Sequence, residues 1–181
     1  MPHSSIAHDQ RTRTFEVSLA NQQSRHAVDE ERLLEGARAV LRDSGVASAA
    51  ISVAVVDDPT IHELNRRYLQ HDWPTDVLSF VLEEEDGRLE GEVIVSADTA
   101  AAAAAEIGWP AAAEQLLYVI HGTLHLVGYR DKMPAEAEQM RAAEAKYLRQ
   151  LGLEPTGRDD CRRELSGGRA AGPVRPGATA P

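Results

Sequence analysis

With 29 Asp and Glu against 19 Lys and Arg in 181 residues, the chain carries a formal charge of −10, which excludes gripping nucleic acid by bulk attraction. A single cysteine, Cys161, excludes both a disulfide framework and a cysteine-type zinc site. No run of about 18 apolar residues occurs, and the N-terminus has no continuous apolar stretch, so a soluble cytoplasmic protein with no membrane attachment is expected.

The length suits one domain with a sizeable core. Residues 1–12 are polar and unpatterned and read as a disordered N-terminus, in which His3 and His8 carry little weight as metal ligands. Thr14 to Ala20 sets Phe15, Val17 and Leu19 against Thr14, Glu16 and Ser18, the alternation of a half-buried strand. From Val28 to Asp43, Leu33, Leu34, Ala37, Val40 and Leu41 recur at helical spacing, with Asp29, Glu30 and Glu31 near the positive end. Ile51, Val53 and Val55 mark a second strand. Asp57 or Asp58 can cap a helix that starts near Pro59 and runs through Ile61, Leu64 and Tyr68.

Val77 to Val81 reads as a third strand and Glu92 to Val95 as a fourth, paired antiparallel. Glu83-Glu84-Glu85-Asp86-Gly87 between them reads as a solvated hairpin loop. Asp98 can cap an alanine-rich helix from Thr99 to Glu106, ended by Gly108. Pro110 starts a further helix, and Pro134 starts the last, striped by Met140, Ala143, Tyr147, Leu148 and Leu151. From Thr156 the composition turns to Gly, Pro, Ala and Arg, and 156–181 reads as a disordered tail. The expected fold is α+β: one small mixed four-stranded sheet packed with about five helices.

The chemistry concentrates in His121-Gly122-Thr123-Leu124-His125-Leu126-Val127-Gly128-Tyr129-Arg130-Asp131. His121 and His125 are four apart on the helix begun at Pro110, so both rings leave one face with Cβ atoms roughly 5–6 Å apart. Gly128 offers a left-handed helix stop, after which the chain can bring Asp131 against the same ion. Two imidazoles and one carboxylate leave a coordination position open, as in catalytic zinc sites. The bland alternative is a pair of half-buried core histidines and an aspartate that caps the next helix. The spacing matches H-x-x-x-H-x-x-G-x-x-D of metalloproteases, but Gly122 stands where those enzymes carry their Glu base. That makes a zincin-like peptidase the poorer candidate.

Three blocks in order, over about residues 14–153, are similar to one family. They are His121 to Tyr129, Leu64-Asn65 followed by Pro74-Thr75-Asp76-Val77-Leu78-Ser79-Phe80, and Gly91-Glu92-Val93-Ile94-Val95-Ser96. On these residues the chain resembles the YbeY-type rRNA maturation factors, metal-dependent endoribonucleases of bacteria. The resemblance implies a zinc ion held by His121, His125 and the third position of the signature. There this chain has Asp131 where the family usually has His. A carboxylate is an acceptable zinc ligand, and two His with one carboxylate also suit iron(II) and other divalent ions. The family's basic residue after Leu-Asn aligns with Leu69, leaving Arg66, Arg67 and His71 to supply positive charge toward phosphate.

The expected function is therefore hydrolysis of single-stranded RNA by a metal-activated water, carried by residues 13–155. His121, His125 and Asp131 would hold the metal, with His71 and Arg67 assisting. Ser79 could contact substrate, although a solvent-facing serine is its simpler reading. The resemblance also implies maturation of 16S rRNA at its 3′ end and quality control of the small ribosomal subunit. Ribosome-associated protein partners fit a chain whose charge repels RNA, and DNA is not an expected substrate. A ribosome-assembly factor with a structural metal and little cleavage stays open, because Leu69 replaces the aligned basic residue.

Overall fold

The computed structural model describes residues 13–155. The two ends expected to be disordered, with His3, His8 and Cys161, lie outside the described residues. The elements are β1 (Thr14–Asn21), α1 (Glu30–Asp43), β2 (Ser48–Val56), α2 (Asp58–Leu69), β3 (Val77–Glu85), β4 (Arg88–Ser96), α3 (Ala97–Ile107), α4 (Ala111–Leu126) and α5 (Pro134–Gln150). They form the expected α+β fold with a mixed four-stranded sheet of order β1-β2-β4-β3. β1, β2 and β4 run parallel, and β3 returns antiparallel along the outer side of β4. Among the described residues no helix is long and apolar enough to cross a membrane.

Alternation along the strands sorts the apolar side chains onto two faces. Ile51, Val53, Val55, Val77, Val93 and Val95 join residues of α1, α4 and α5 in the larger core. Ala54, Val56, Leu78 and Ile94 point the other way and are covered by Ile61 of α2. α4 is the central helix: every residue from Ala113 to Leu126 is buried. A helix apolar nearly all round has no solvent face to offer, and here it lies between the sheet and the remaining helices.

Two glycines set how closely α4 can sit. A Cβ on Gly122 would come 2.6 Å from Val93 Cγ1, 2.9 Å from Val77 Cγ2 and 3.0 Å from Ser79 Oγ. A Cβ on Gly36 of α1 would come 2.6 Å from Leu116 Cδ1 on α4. The first contact is with stiff β-branched side chains of the sheet. The second is with the end of a leucine that can rotate.

Two local expectations change, and Asp29 keeps its place at the positive end of α1. The acidic run Glu83–Glu85 is not a loop but the end of β3, paired with Glu90, Leu89 and Arg88 of β4. These residues lie exposed on an edge strand, where charge stays hydrated and discourages pairing with another chain. The turn shrinks to Asp86-Gly87, both at positive φ, as a two-residue hairpin requires. Asp29 precedes α1 as its cap, accepting from the Arg32 N–H at 3.2 Å. Ser96, not Asp98, caps α3, its hydroxyl accepting from the Thr99 N–H at 3.0 Å.

Asp98 is used elsewhere. Its carboxylate accepts from the Asp58 N–H at 3.0 Å, tying the start of α3 to that of α2, and lies 2.9 Å from His26 Nε2. The Asp58 N–H, then His26, holds the Asp98 pKa below the ordinary carboxylate value. A depressed carboxylate contributes stability above its unfolded pKa of about 3.9, and that stability is lost as pH falls through the lower folded value. The stability gap between wild type and Asp98→Asn in urea is therefore expected to be larger at pH 7 than at pH 3. A gap of equal size at both would remove the electrostatic explanation.

Gly122→Ala and Gly36→Ala both gain helix propensity, so their difference reports packing. Gly122→Ala is expected to lose about 1–3 kcal/mol through overpacking, and Gly36→Ala to stay near wild type, as measured by denaturant unfolding.

Candidate metal centre

α4 delivers both histidines already desolvated: His121 is 3% exposed and His125 is 1% exposed. Their rings lie edge to face with centroids 4.5 Å apart. Beyond Leu126 the helix stops as expected, with Gly128 at φ 99 and the Tyr129 N–H donating to the Leu124 carbonyl at 3.0 Å. That turn folds the chain back under the histidines and carries Asp131 to them.

Three donor atoms converge. His121 Nε2 and His125 Nε2 are 2.9 Å apart, and Asp131 Oδ2 lies 3.7 Å from the first and 3.6 Å from the second. A tetrahedral ion with bonds of about 2.0–2.2 Å separates its ligand atoms by about 3.3–3.6 Å. The observed triangle brackets that size, so the residues fit a divalent ion.

The hydrogen bonds behind the triangle decide which ring nitrogens are available. His125 Nδ1 is 3.0 Å from the Tyr129 carbonyl, which has no proton to give, so Nδ1–H donates. His121 Nδ1 is 2.6 Å from Glu144 Oε1 and donates to that carboxylate. In neutral rings both protons therefore sit on Nδ1, and both Nε2 atoms turn lone pairs toward one point beside a carboxylate oxygen. A cation resolves that arrangement. A carboxylate or carbonyl behind each histidine is also the usual support of a metal-bound imidazole.

Glu144 lies outside the residues singled out from the sequence. It comes from α5, within the stripe of Met140, Ala143, Tyr147 and Leu148, and is itself buried. An acid set into an otherwise apolar helix face was the signal that pointed to it. Ser79 faces inward rather than to solvent. It is 3% exposed and its hydroxyl donates to the Gly122 carbonyl at 3.1 Å, which fastens β3 to α4.

Of the sequence candidates, His121, His125 and Asp131 are brought together, and they form the potential metal-holding group among the described residues. Arg67 and His71 are not in that group. The Arg67 guanidinium lies 5.5 Å from the Tyr68 ring centroid, and the His71 ring stacks on Trp73. Arg66 pairs with Glu63 on the exposed side of α2. Leu69 is partly buried against the smaller core.

Residues 18–152 match the family model described as Endoribonuclease YbeY. The chain belongs to that family. A relative named Endoribonuclease YbeY from Rhodopirellula baltica is 44% identical over 131 residues, covering 67% of this chain and 68% of the relative. One of the same name from Syntrophotalea carbinolica is 39% identical over 145 residues, covering 76% of this chain and 97% of the relative. The solution structure of TM1509 from Thermotoga maritima is similar with a TM-score of 0.50 and 25% identity, across 91% of this chain and 99% of that one.

Removing the carboxylate behind His121 should weaken metal binding while leaving all three donors in place. Glu144→Ala is expected to lower affinity for a divalent ion about 10–100-fold, and Glu144→Gln, which keeps an acceptor oxygen, by less. Competition against a chromophoric chelator measures both. Equal affinity in wild type and Glu144→Ala would show that the ring is oriented by other contacts.

Proposed function

We propose that the chain is a metal-dependent endoribonuclease that hydrolyses phosphodiester bonds in single-stranded RNA, with residues 13–155 acting as one hydrolase unit. The observation that carries this reading is the convergence of His121 Nε2, His125 Nε2 and Asp131 Oδ2 within 4.8 Å of one another. One divalent ion per chain, zinc first among the candidates, suits two imidazoles and a carboxylate. When bound, it would supply Lewis acidity toward a phosphoryl oxygen and lower the pKa of water toward ~7.

The protein's own part is positional. Glu144 and the Tyr129 carbonyl hold the two rings with Nε2 forward, and α4 keeps them dry, which strengthens every charge interaction there. Gly122 leaves no room for a helical base, since even a Cβ would strike Val93 and Val77. That geometry counts against the peptidase alternative. Arg67 and His71 are proposed to contact the substrate strand. The substrate proposed is ribosomal RNA of the small subunit at the 16S 3′ end, handled in the cytoplasm, with ribosome-associated proteins offsetting the repulsion of an acidic chain.

A second reading, an assembly factor with a structural metal, is favoured by one observation. Leu69 sits half-buried against Ala54, Ile61, Leu78 and their neighbours, so the position aligned with a basic residue supplies no charge. Elemental analysis of wild type and Asp131→Ala, with RNA cleavage assayed with and without chelator, separates the two. The expected result is about one metal per chain in wild type and chelator-sensitive cleavage. Metal should be lost in Asp131→Ala, with cleavage down about 10²-fold or more. Full metal occupancy in Asp131→Ala would sink the ligand assignment, and bound metal without cleavage would favour the assembly factor.

A further inference from the structure

The loop joining α2 to β3 presents an aromatic pair to solvent. Trp73 is 42% exposed, and the His71 ring stacks on it with centroids 4.8 Å apart and planes inclined by only 12°. Tyr68, 53% exposed, stands at the end of α2 on the approach to this loop, with the Arg67 guanidinium over its ring. One exposed aromatic needs no explanation. An exposed indole with an imidazole stacked on it, six residues after an arginine whose partner is another exposed aromatic, has a more definite chemistry.

The loop is also held in place from inside. Asn65, 1% exposed, donates from Nδ2 to the Trp73 carbonyl at 2.8 Å, and its backbone carbonyl accepts from the His71 N–H at 3.4 Å. Gln70 closes α2 in the left-handed conformation, and His62 Nε2 lies 2.9 Å from Asp72 Oδ1 across the loop. A loop backbone fixed by these hydrogen bonds has less conformational freedom to lose when its side chains meet a partner.

Its place in the fold links it to the donor triangle. Four residues after Trp73, Val77 enters β3 directly beneath Gly122, the neighbour of His121. Four residues of chain span at most about 14 Å, so Trp73 lies within that distance of Val77, the residue packed at Gly122. We propose that the His71–Trp73 pair stacks an unpaired base of the RNA strand whose phosphodiester lies at the donor triangle, with Arg67 toward an adjacent phosphate. The proposal rests on the endoribonuclease reading above and adds the residues that recognise single-strandedness. A base within a duplex is already stacked on both sides and offers no face to Trp73. Stacking also suits a chain of charge −10, because it draws affinity from π-faces rather than from bulk charge.

The test uses Trp109→Phe, which leaves Trp73 as the single tryptophan reporter and removes an indole Nε1 that is buried without a partner. Single-stranded oligouridylate should quench Trp73 fluorescence, whereas a duplex of matched length and inorganic polyphosphate should not. In cleavage assays Trp73→Ala should raise KM about tenfold, the size of one base–aromatic stack, with kcat changing far less and Trp73→Phe restoring most of the loss. Equal quenching by duplex or polyphosphate would overturn the platform. So would an unchanged KM in Trp73→Ala while wild type cleaves normally. Quenching of the Trp109→Phe reporter by oligouridylate, with wild type cleaving nothing, would instead keep the platform and overturn the endoribonuclease reading.

Discussion

The contact of α4 with the sheet at Gly122 is the constraint on which the rest depends. With no side chain there, the helix backbone lies against Val77 and Val93, and Ser79 can donate to the Gly122 carbonyl. A larger residue would lift the helix off β3 and β4, and the packing that buries His121 and His125 would loosen with it. The same close approach removes the position from which a metalloprotease helix presents its base. Packing and chemistry are therefore settled by one residue: what lets α4 become the central helix also decides what that helix lacks.

Burial then imposes its own requirement. Imidazoles taken out of water need partners for their polar atoms, and each has one on the side away from the donor triangle. For His125 that partner is a backbone carbonyl delivered by the Gly128 turn, and for His121 it is the Glu144 carboxylate of α5. α5 thus has two tasks. Met140, Ala143, Tyr147 and Leu148 close the core, while Glu144 orients a ring on the neighbouring helix.

Charge is distributed to match. Glu83, Glu84 and Glu85 lie exposed at the end of edge strand β3, where they remain hydrated and block pairing with another chain. Of the two arginines at the end of α2, Arg66 pairs with Glu63, while Arg67 lies over the exposed Tyr68 ring. An acidic protein can in this way keep one contact surface compatible with a polyanion without becoming basic.

Features that depend on near neighbours along the chain were already legible in the residue order. Helix periodicity placed His121 and His125 on one face, Gly128 predicted the turn, and a six-residue step brought Asp131 within reach, all consequences of local backbone geometry. The strands and five helices were legible for the same reason. The acidic end of β3 was not, because charge suggested a loop while the partner strand β4 supplied the hydrogen bonds that extend it. Likewise Asp98 looked like a cap until the structure showed its carboxylate reaching across to α2. Glu144, 23 residues from His121, and Ser79, 43 residues from Gly122, acquire their roles only when separate elements pack. Spacing along the chain fixes which residues can share a face, but only the packing of one element on another selects the groups that sit behind them.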